Sequence, residues 1–434
     1  MFARRIAVIG SGYVGLTTGA CLASLGHRVV CADIDADKIG RLRRGEVDIL
    51  EPGLPELVVE NQAAGRLEFV VGAREAISRP DEQPVEVVFL CVPTPMGEGG
   101  AADLRAVKAV AAEIRHLLPS GCVVVNKSTV PVGTAEATLR LLNRRDVAVV
   151  SNPEFLREGT AVHDFLHPDR IVVGCDAQDA AERVAALYSR LGAPTVLTDA
   201  ASAEMVKYAA NCFLAMKLSY VNALAELCDL LGADVGDVTE GMGYDKRIGQ
   251  SFLQPGPGWG GSCLPKDTNA LVQVAAAAGR ELPLVSASVA TNQRQRALMV
   301  DKIRDAVGGD LAGCRVGVLG LTFKAGTDDL RDSPALGVAA LLVAEGAEVT
   351  GYDPGCPAAV PGVTDDVGVV DEPMLAAKDA AVLVVLTEWP EFRSLDWAAI
   401  GGVMDNRIVV DTRNLLDPDV LRRAGISWVG VGRR

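Results

Sequence analysis

The chain has 434 residues, 42 Lys and Arg against 56 Asp and Glu, a formal charge of −14, and 49% hydrophobic content. That length suits two or three domains around a large core. The acidic balance argues against nucleic acid or an acidic membrane surface as partner, and no apolar run is long enough to span a bilayer. The opening residues, Met1 to Ile6, lead straight into a strand pattern without a secretory signal region. Ten cysteines form no CxxC pair and no cluster with the four histidines, which fits neither a disulfide framework nor a zinc site. His163 and His167 are the one histidine pair at ligand spacing, in a stretch that reads as loop. A reduced, cytoplasmic protein without a metal is expected.

In chain order, Arg5–Ile9 reads as a short apolar strand, followed by Gly10-Ser11-Gly12-Tyr13-Val14-Gly15 and a small-residue helix to about Gly26. A second strand covers Arg28–Ala32 and ends in Asp33. A glycine pattern alone is a weak signal. Strand, glycines, helix, strand and terminal acid in that order predict a dinucleotide site. The glycines let a pyrophosphate approach the helix N-terminus, and Asp33 can accept from a ribose 2′-hydroxyl while repelling a 2′-phosphate. NAD is therefore expected over NADP. Lys38, a turn beyond Asp35, is expected to face the adenosine end. Further strands are read at 85–92, 121–126, 147–151 and 170–174, several ending in Pro-, Thr- and Ser-rich loops, where doubly wound sheets bind ligands.

From Asp199 to about Leu231 the pattern is one long helix, capped by Thr198 or Asp199 and closed by Gly232. It is apolar on most faces, Met205, Phe213, Val221 and Leu227 among them, so it is expected to be largely buried. A second copy covering one side would make a homodimer. Lys207 and Asn211, four residues apart, share a face. A lysine inside such a helix needs a salt bridge, with Glu204 for example, or a function.

The segment Gly260-Gly261-Ser262-Cys263-Leu264-Pro265-Lys266-Asp267 then opens a helix that ends at Gly279. Proline suits a first helical turn, so Cys263 falls at or just before the N-cap, where open amides and the helix dipole favour a thiolate. Lys266 and Asp267 add a cation and a proton acceptor, and the glycines leave room for a ligand. Cys263 reads as a nucleophile, whereas Cys91, Cys122 and Cys212 lie in apolar runs and read as core.

A second α/β unit begins near residue 313. Its strand Arg315–Gly320 ends in glycine, a helix spans Pro334–Glu345, and Glu348–Tyr352 is a strand with Asp353 at its end. Strands at 380–387 and 408–411 follow, and no low-complexity linker separates the parts. The expected fold is α/β: two Rossmann-like doubly wound domains joined by a central helical region with a long helix. The expected divisions are 1–198, 199–300 and 301–434.

Seven motifs in order resemble the UDP-glucose/GDP-mannose dehydrogenase family over nearly the whole chain. They are GSGYVG at 10–15, VPTP at 92–95, KSTVPVG at 127–133, NPEFLREG at 152–159, KYAAN at 207–211, RIGQSFLQPGPGWGGSCLPKD at 247–267 and FKAGTDDLRDSP at 323–334. The resemblance implies an N-terminal NAD-binding domain, a central domain for dimerisation and catalysis, and a C-terminal UDP-sugar-binding domain. It implies oxidation of a sugar C6 alcohol to a carboxylate, with UDP-glucose the best-fitting substrate, two NAD⁺ and one water. Cys263 would carry a thiohemiacetal and then a thioester. Lys207 and Asn211 would stabilise the oxyanion, and Asp267, Thr129 and Glu154 would share the handling of water and hydroxyl.

By the same resemblance, Gly10, Gly12, Tyr13, Val14, Gly15, Asp33, Lys38, Pro93, Thr94, Thr129, Glu158, Lys266 and Arg331 are expected at the cofactor. Glu154, Phe155, Leu156, Arg157 and Glu158 are expected at the nucleotide sugar, with Lys207, Asn211, Arg247, Phe252, Leu253, Gln254, Pro255, Gly256, Gly260 and Lys324. Arg247 is expected to reach the site of the other subunit. Three alternatives stay open. One is a sister enzyme acting on GDP-mannose or a UDP-N-acetyl sugar, although Ser262-Cys263 differs from the Gly-His-Cys pattern associated with N-acetyl-sugar enzymes. The others are a cysteine aldehyde dehydrogenase, which would lack the second nucleotide half, and a catalytically idle NAD-binding scaffold.

Overall fold

The computed structural model describes residues 3–79 and 82–433. Two compact units are distinguished: one runs to Ala210 and takes in Asn269–Gly279, the other holds Asn211–Thr268 and the chain from Arg280 onward. The helix Ala200–Leu231 contributes to both, as does Leu264–Ala277.

The first unit is built on eight strands: β1 (Arg5–Ile9), β2 (Arg28–Asp33), β3 (Leu67–Val71), β4 (Val87–Leu90), β5 (Val123–Asn126), β6 (Ala148–Ser151), β7 (Ile171–Gly174) and β8 (Thr195–Thr198). Their order in the sheet is β3-β2-β1-β4-β5-β6-β7-β8. All neighbours pair in parallel except β6 and β7, which meet antiparallel at Ser151 and Gly174. Strands such as Val87–Leu90 and Val123–Asn126 are buried at every residue. That is why they read as unbroken apolar runs, since helices cover both faces of a parallel sheet. The second unit repeats the plan with β9 (Arg315–Leu319), β10 (Glu348–Tyr352), β11 (Gly368–Val370), β12 (Val382–Val385), β13 (Ile408–Asp411) and β14 (Ser427–Gly430). Their order is β11-β10-β9-β12-β13-β14, all parallel. Both sheets change direction beside their first strand, between β1 and β4 and between β9 and β12. In doubly wound sheets that switch point is where ligands bind.

The two halves use their strand-end acids alike, then diverge. Asp33 at the end of β2 accepts from the Ser11 amide at 2.8 Å, and Asp353 beyond β10 accepts from the Leu321 and Thr322 amides at 2.6 and 2.8 Å. Asp353 is fully buried and also takes bonds from the Thr322 hydroxyl and the Trp389 indole. Its oxygens are consumed within the fold, whereas Asp33 is only half-buried.

The long helix corrects one expectation. It starts at Ala200, with Asp199 accepting from the Ser202 amide at 2.8 Å. It is not largely buried: Phe213 is 60% exposed, Tyr220 57% and Leu227 51%, and Leu230 and Leu231 are more exposed still. These residues recur at helical spacing and form one apolar stripe, while Ala203, Tyr208, Ala215, Val221 and Ala225 face the core. Composition alone could not separate a helix wrapped all round from one with a bare apolar side. Among the described residues, no helix is long and apolar enough to cross a membrane.

Candidate active site

The glycine turn between β1 and the helix Tyr13–Ser24 has the shape of a dinucleotide cradle. Gly10 has φ +98, and a Cβ there would stand 2.6 Å from the Cys91 carbonyl oxygen. At Gly15 a Cβ would lie 1.8 Å from the Gly10 oxygen. These two glycines are required by packing. Gly12 differs: a Cβ would meet nothing within 4 Å, and as N-cap it offers no side chain to the helix amides. Open amides at a positive dipole end, facing unfilled space, fit a pyrophosphate. Asp33, braced by the Ser11 and Asp35 amides, is presented where a ribose would lie. Lys38 donates its backbone amide to Asp35, the N-cap of the helix Ala36–Arg43. Pro93 is exposed and Val14 partly buried. Thr94 is buried and donates its hydroxyl to the Thr129 carbonyl at 2.9 Å.

Around Thr129 the same unit gathers a buried polar group. Lys207, 4% exposed, places Nζ 3.0 Å from Oε1 of Glu154, itself 6% exposed. The ammonium also lies 5.4 Å from the Phe155 ring centroid, while the Arg170 guanidinium stacks on that ring at 3.5 Å. Burial drives the Glu154 carboxyl upward, but the charge and hydrogen bond of Lys207 outweigh it, and the net shift is downward. Glu154 is therefore held as a carboxylate at neutral pH. It also accepts from the Leu156 amide at 2.6 Å, which turns the 154–156 backbone back on itself.

The salt bridge with Glu204 is not formed. Glu204 accepts instead from the amides of Gly133 and Ala135 and the hydroxyl of Ser151. It thus caps the helix Thr134–Leu142 that follows the Thr129 loop. An acid three residues away on a helix looks like the natural partner of Lys207, but tertiary packing offered Glu204 three donors and Lys207 a different carboxylate.

The second unit assembles the cysteine segment. The helix Leu264–Ala277 begins directly after Cys263, whose carbonyl accepts the first helical bond from the Asp267 amide at 2.9 Å. Cys263 therefore occupies the N-cap, half-buried, with the Ser262 hydroxyl 3.7 Å from its sulfur. Burial pushes the thiols of Cys91, Cys122 and Cys212 up to about 12, marking them as inert core residues. Asp267 is fully buried, accepts from Asn211 Nδ2 at 2.6 Å and pairs with the Lys266 ammonium. Lys207 pairs with Glu154 within the first unit, and Asn211 bonds to Asp267 within the second.

Glycines shape the floor of this segment. A Cβ on Gly261 would lie 2.7 Å from the Phe323 ring, and one on Gly260 would lie 2.0 Å from the Asp332 carbonyl oxygen. Lys324 holds its ammonium 5.6 Å from the Phe323 ring centroid. Phe252 has φ +63, strained for an aromatic residue. Leu253, Pro255 and Gly256 are buried and Gln254 exposed. The Gly256 amide donates to Asn222 and its carbonyl accepts from Gln295. Arg157, Arg247 and Arg331 point outward, each held bidentately by Asp164, Asp245 and Asp329 respectively.

Further buried polar residues lie outside the expected set of site residues. Lys127 reaches the Asn152 carboxamide oxygen at 3.1 Å and the Tyr188 hydroxyl at 3.4 Å, and Tyr188 donates to the same oxygen. Burial lowers this lysine to about 8. Glu51, 3% exposed, accepts from Tyr13 and from the Gly159 amide. The only signal for Glu51 was an acid before a Pro-Gly turn, which describes many surface loops equally well.

Comparison with known proteins places this geometry. The chain matches the NAD binding domain of the UDP-glucose/GDP-mannose dehydrogenase family over residues 4–192, the central domain over 201–294 and the UDP binding domain over 317–418. It is 45% identical to the UDP-glucose 6-dehydrogenase of Rhizobium meliloti (strain 1021), covering 99% of each chain. It is 42% identical to UDP-glucose 6-dehydrogenase TuaD of Bacillus subtilis (strain 168), over 99% of this chain and 93% of the relative. Among solved structures, a UDP-glucose dehydrogenase from the hyperthermophilic archaeon Pyrobaculum islandicum superposes with a TM-score of 0.89 at 37% identity, covering 100% of this chain and 98% of the other. A UDP-D-ManNAc dehydrogenase from Pyrococcus horikoshii gives 0.87 at 29% identity, covering 99% of each chain.

Proposed function

The chain belongs to the UDP-glucose/GDP-mannose dehydrogenase family, NAD-dependent oxidoreductases, and on that premise we propose that it oxidises UDP-glucose to UDP-glucuronate. The observation that carries the reading is Cys263 at the N-cap of Leu264–Ala277, with Asp267, which accepts from Asn211 and pairs with Lys266, in the first turn of that helix. Full-length relatives at 42–45% identity bearing the UDP-glucose name support that sugar over its sisters. The N-acetyl-sugar reading rests on solved relatives with lower identity. The deciding experiment follows NADH formation with UDP-glucose, GDP-mannose and UDP-N-acetyl sugars in parallel. A clear preference for any sugar but UDP-glucose refutes the assignment.

NAD⁺, held by Gly10, Gly12, Gly15 and Asp33, supplies the hydride acceptor in both oxidations. The protein's own groups do the rest. Glu154 or Asp267 takes the C6 hydroxyl proton as the first hydride leaves, with Thr129 positioning the hydroxyl. The Cys263 thiolate attacks the aldehyde carbon, forming a C–S bond, and Lys207 and Asn211 donate to the oxyanion. Loss of the second hydride from this thiohemiacetal leaves a thioester. Water, deprotonated by one of the same carboxylates, adds to the carbonyl and expels the thiolate. The sum is two hydrides and three protons released for one alcohol and one water consumed. Lys324 beside Phe323 supplies a cation and a ring face for the nucleotide diphosphate.

Two further expectations belong to this reading. Asp33→Ala raises the KM for NAD⁺ about tenfold, as expected for one lost charge-assisted hydrogen bond, and admits NADP⁺. Steady-state kinetics with both cofactors test it; equal use of NAD⁺ and NADP⁺ by the unaltered enzyme refutes the role of Asp33. The bare stripe of Phe213, Tyr220, Leu227 and Leu231 supports a homodimer, since apolar surface of that extent is costly to leave in water. Light scattering should give twice the chain mass, and Tyr220→Glu should dissociate it. A monomeric, fully active enzyme at assay concentration refutes the dimer. The ten free thiols support a reducing, cytoplasmic setting.

A further inference from the structure

Glu51 lies outside every motif assigned to cofactor or sugar, yet a donor from each of two of those motifs, and a third from just beyond the second, converge on it. It sits just before Gly53, φ +81, the N-cap of the helix Leu54–Ala63. Its Oε2 accepts from the Tyr13 hydroxyl and from the Gly159 amide at 2.8 Å, and its Oε1 lies 3.3 Å from the Val162 amide. The Tyr13 hydroxyl also accepts from the Gly159 amide at 2.9 Å and lies 3.4 Å from the Arg157 carbonyl. Tyr13 is the first residue of the helix after the glycine turn. Residues 157–162 continue the NPEFLREG segment that carries Glu154. Burial, and then the Glu51 carboxylate, push the Tyr13 phenol well above its ordinary range, so its hydroxyl remains a donor at any working pH.

From this knot we propose that Glu51 is a positioning residue that ties the dinucleotide turn to the 154–162 segment, so that cofactor and sugar binding depend on one shared contact. The inference rests on the assignment of Glu154–Glu158 to the sugar. A carboxylate is needed because donors approach both of its oxygens. Glutamine offers one oxygen and turns an amide group toward a donor, so one side of the knot must open. Neither ligand has to touch Glu51 for both to feel its loss, because the turn and the segment are each held in place by it.

The test uses the intact enzyme with Glu51→Gln and the milder Tyr13→Phe, which keeps the ring and removes one oxygen. Each should raise the KM values for both NAD⁺ and UDP-glucose about tenfold, the scale of one hydrogen bond to a charged group, while kcat falls less than about threefold. The double variant should be no worse than the poorer single, because both break the same tie. A purely structural role would lower the unfolding temperature and leave both KM values in place, and that outcome overturns the proposal. So does a change in only one KM, or defects that multiply. If the unaltered enzyme fails to oxidise UDP-glucose, hydrogen exchange still decides. NADH should slow exchange of the Gly159 and Val162 amides in the unaltered protein and not in Glu51→Gln, and equal slowing in both refutes the tie.

Discussion

Cys263→Ala abolishes net formation of UDP-glucuronate, while the unaltered enzyme yields two NADH for each UDP-glucose consumed. The sulfur is required only after the first oxidation, so a weak alcohol-level turnover can survive its loss. Its N-cap position places the sulfur at the positive end of the helix Leu264–Ala277. Holding the aldehyde as a thiohemiacetal keeps it on the enzyme while reduced cofactor is exchanged, so little free aldehyde should appear. Cys122 and Cys212, 2% and 3% exposed, serve as controls. Replacing either with alanine should affect stability by about 1 kcal/mol and leave the NADH count at two, since they act as small core hydrophobes. Mass spectrometry of the Cys263 peptide should find a thioester in Glu154→Gln, where hydrolysis is slowed. One NADH per sugar, or a fully active Cys263→Ala enzyme, overturns the covalent route.

The parts of the fold legible in the sequence were those set by local rules. The strand Arg5–Ile9, the glycine turn and Asp33 could be ordered because each has its own signature: apolar run, missing Cβ, strand-end acid. The cysteine segment was legible for the same reason, since proline and glycine fix where a helix can begin. Contacts chosen by the whole fold were not legible. Lys207 takes Glu154, 53 positions away by number, over Glu204 on its own helix, because Glu204 is claimed by the amides of Gly133 and Ala135. The Lys127–Asn152–Tyr188 cluster is likewise made by strand order, which brings β5 and β6 side by side, and the Glu51 knot by the helix Tyr13–Ser24 packing against Leu54–Ala63 and Ala161–Leu166. The bare stripe on Ala200–Leu231 was invisible for a different reason: sequence shows that a residue is apolar, not whether its own chain covers it.

Lys207→Met separates the two duties of that buried ion pair. As a donor to the oxyanion its loss should lower kcat by about 10²–10³, the range for removing one preorganised donor. As the counter-ion of Glu154 its loss leaves a carboxylate buried at 6% exposure, with a cost of about 3–5 kcal/mol. Lys127, which burial lowers to about 8, and Arg170 also act on Glu154, each more weakly than Lys207. The pH dependence follows with a definite sign. In the unaltered protein the Glu154 carboxyl is held low, so its contribution to stability is present above the ordinary carboxylate range and is lost as pH falls through the lowered value. Without Lys207, burial prevails and the carboxyl moves up. The variant should then lose stability as pH rises through the ordinary carboxylate range, and the acid limb of any residual activity should shift toward neutral pH. Adding Glu154→Gln removes the buried charge, so the double variant should regain much of the stability and none of the turnover. Denaturant unfolding at pH 5 and pH 8, beside a pH–rate profile, reads both effects. If Glu154→Gln fails to rescue stability, or Lys207→Met leaves kcat unchanged, the pair does not act as the geometry indicates.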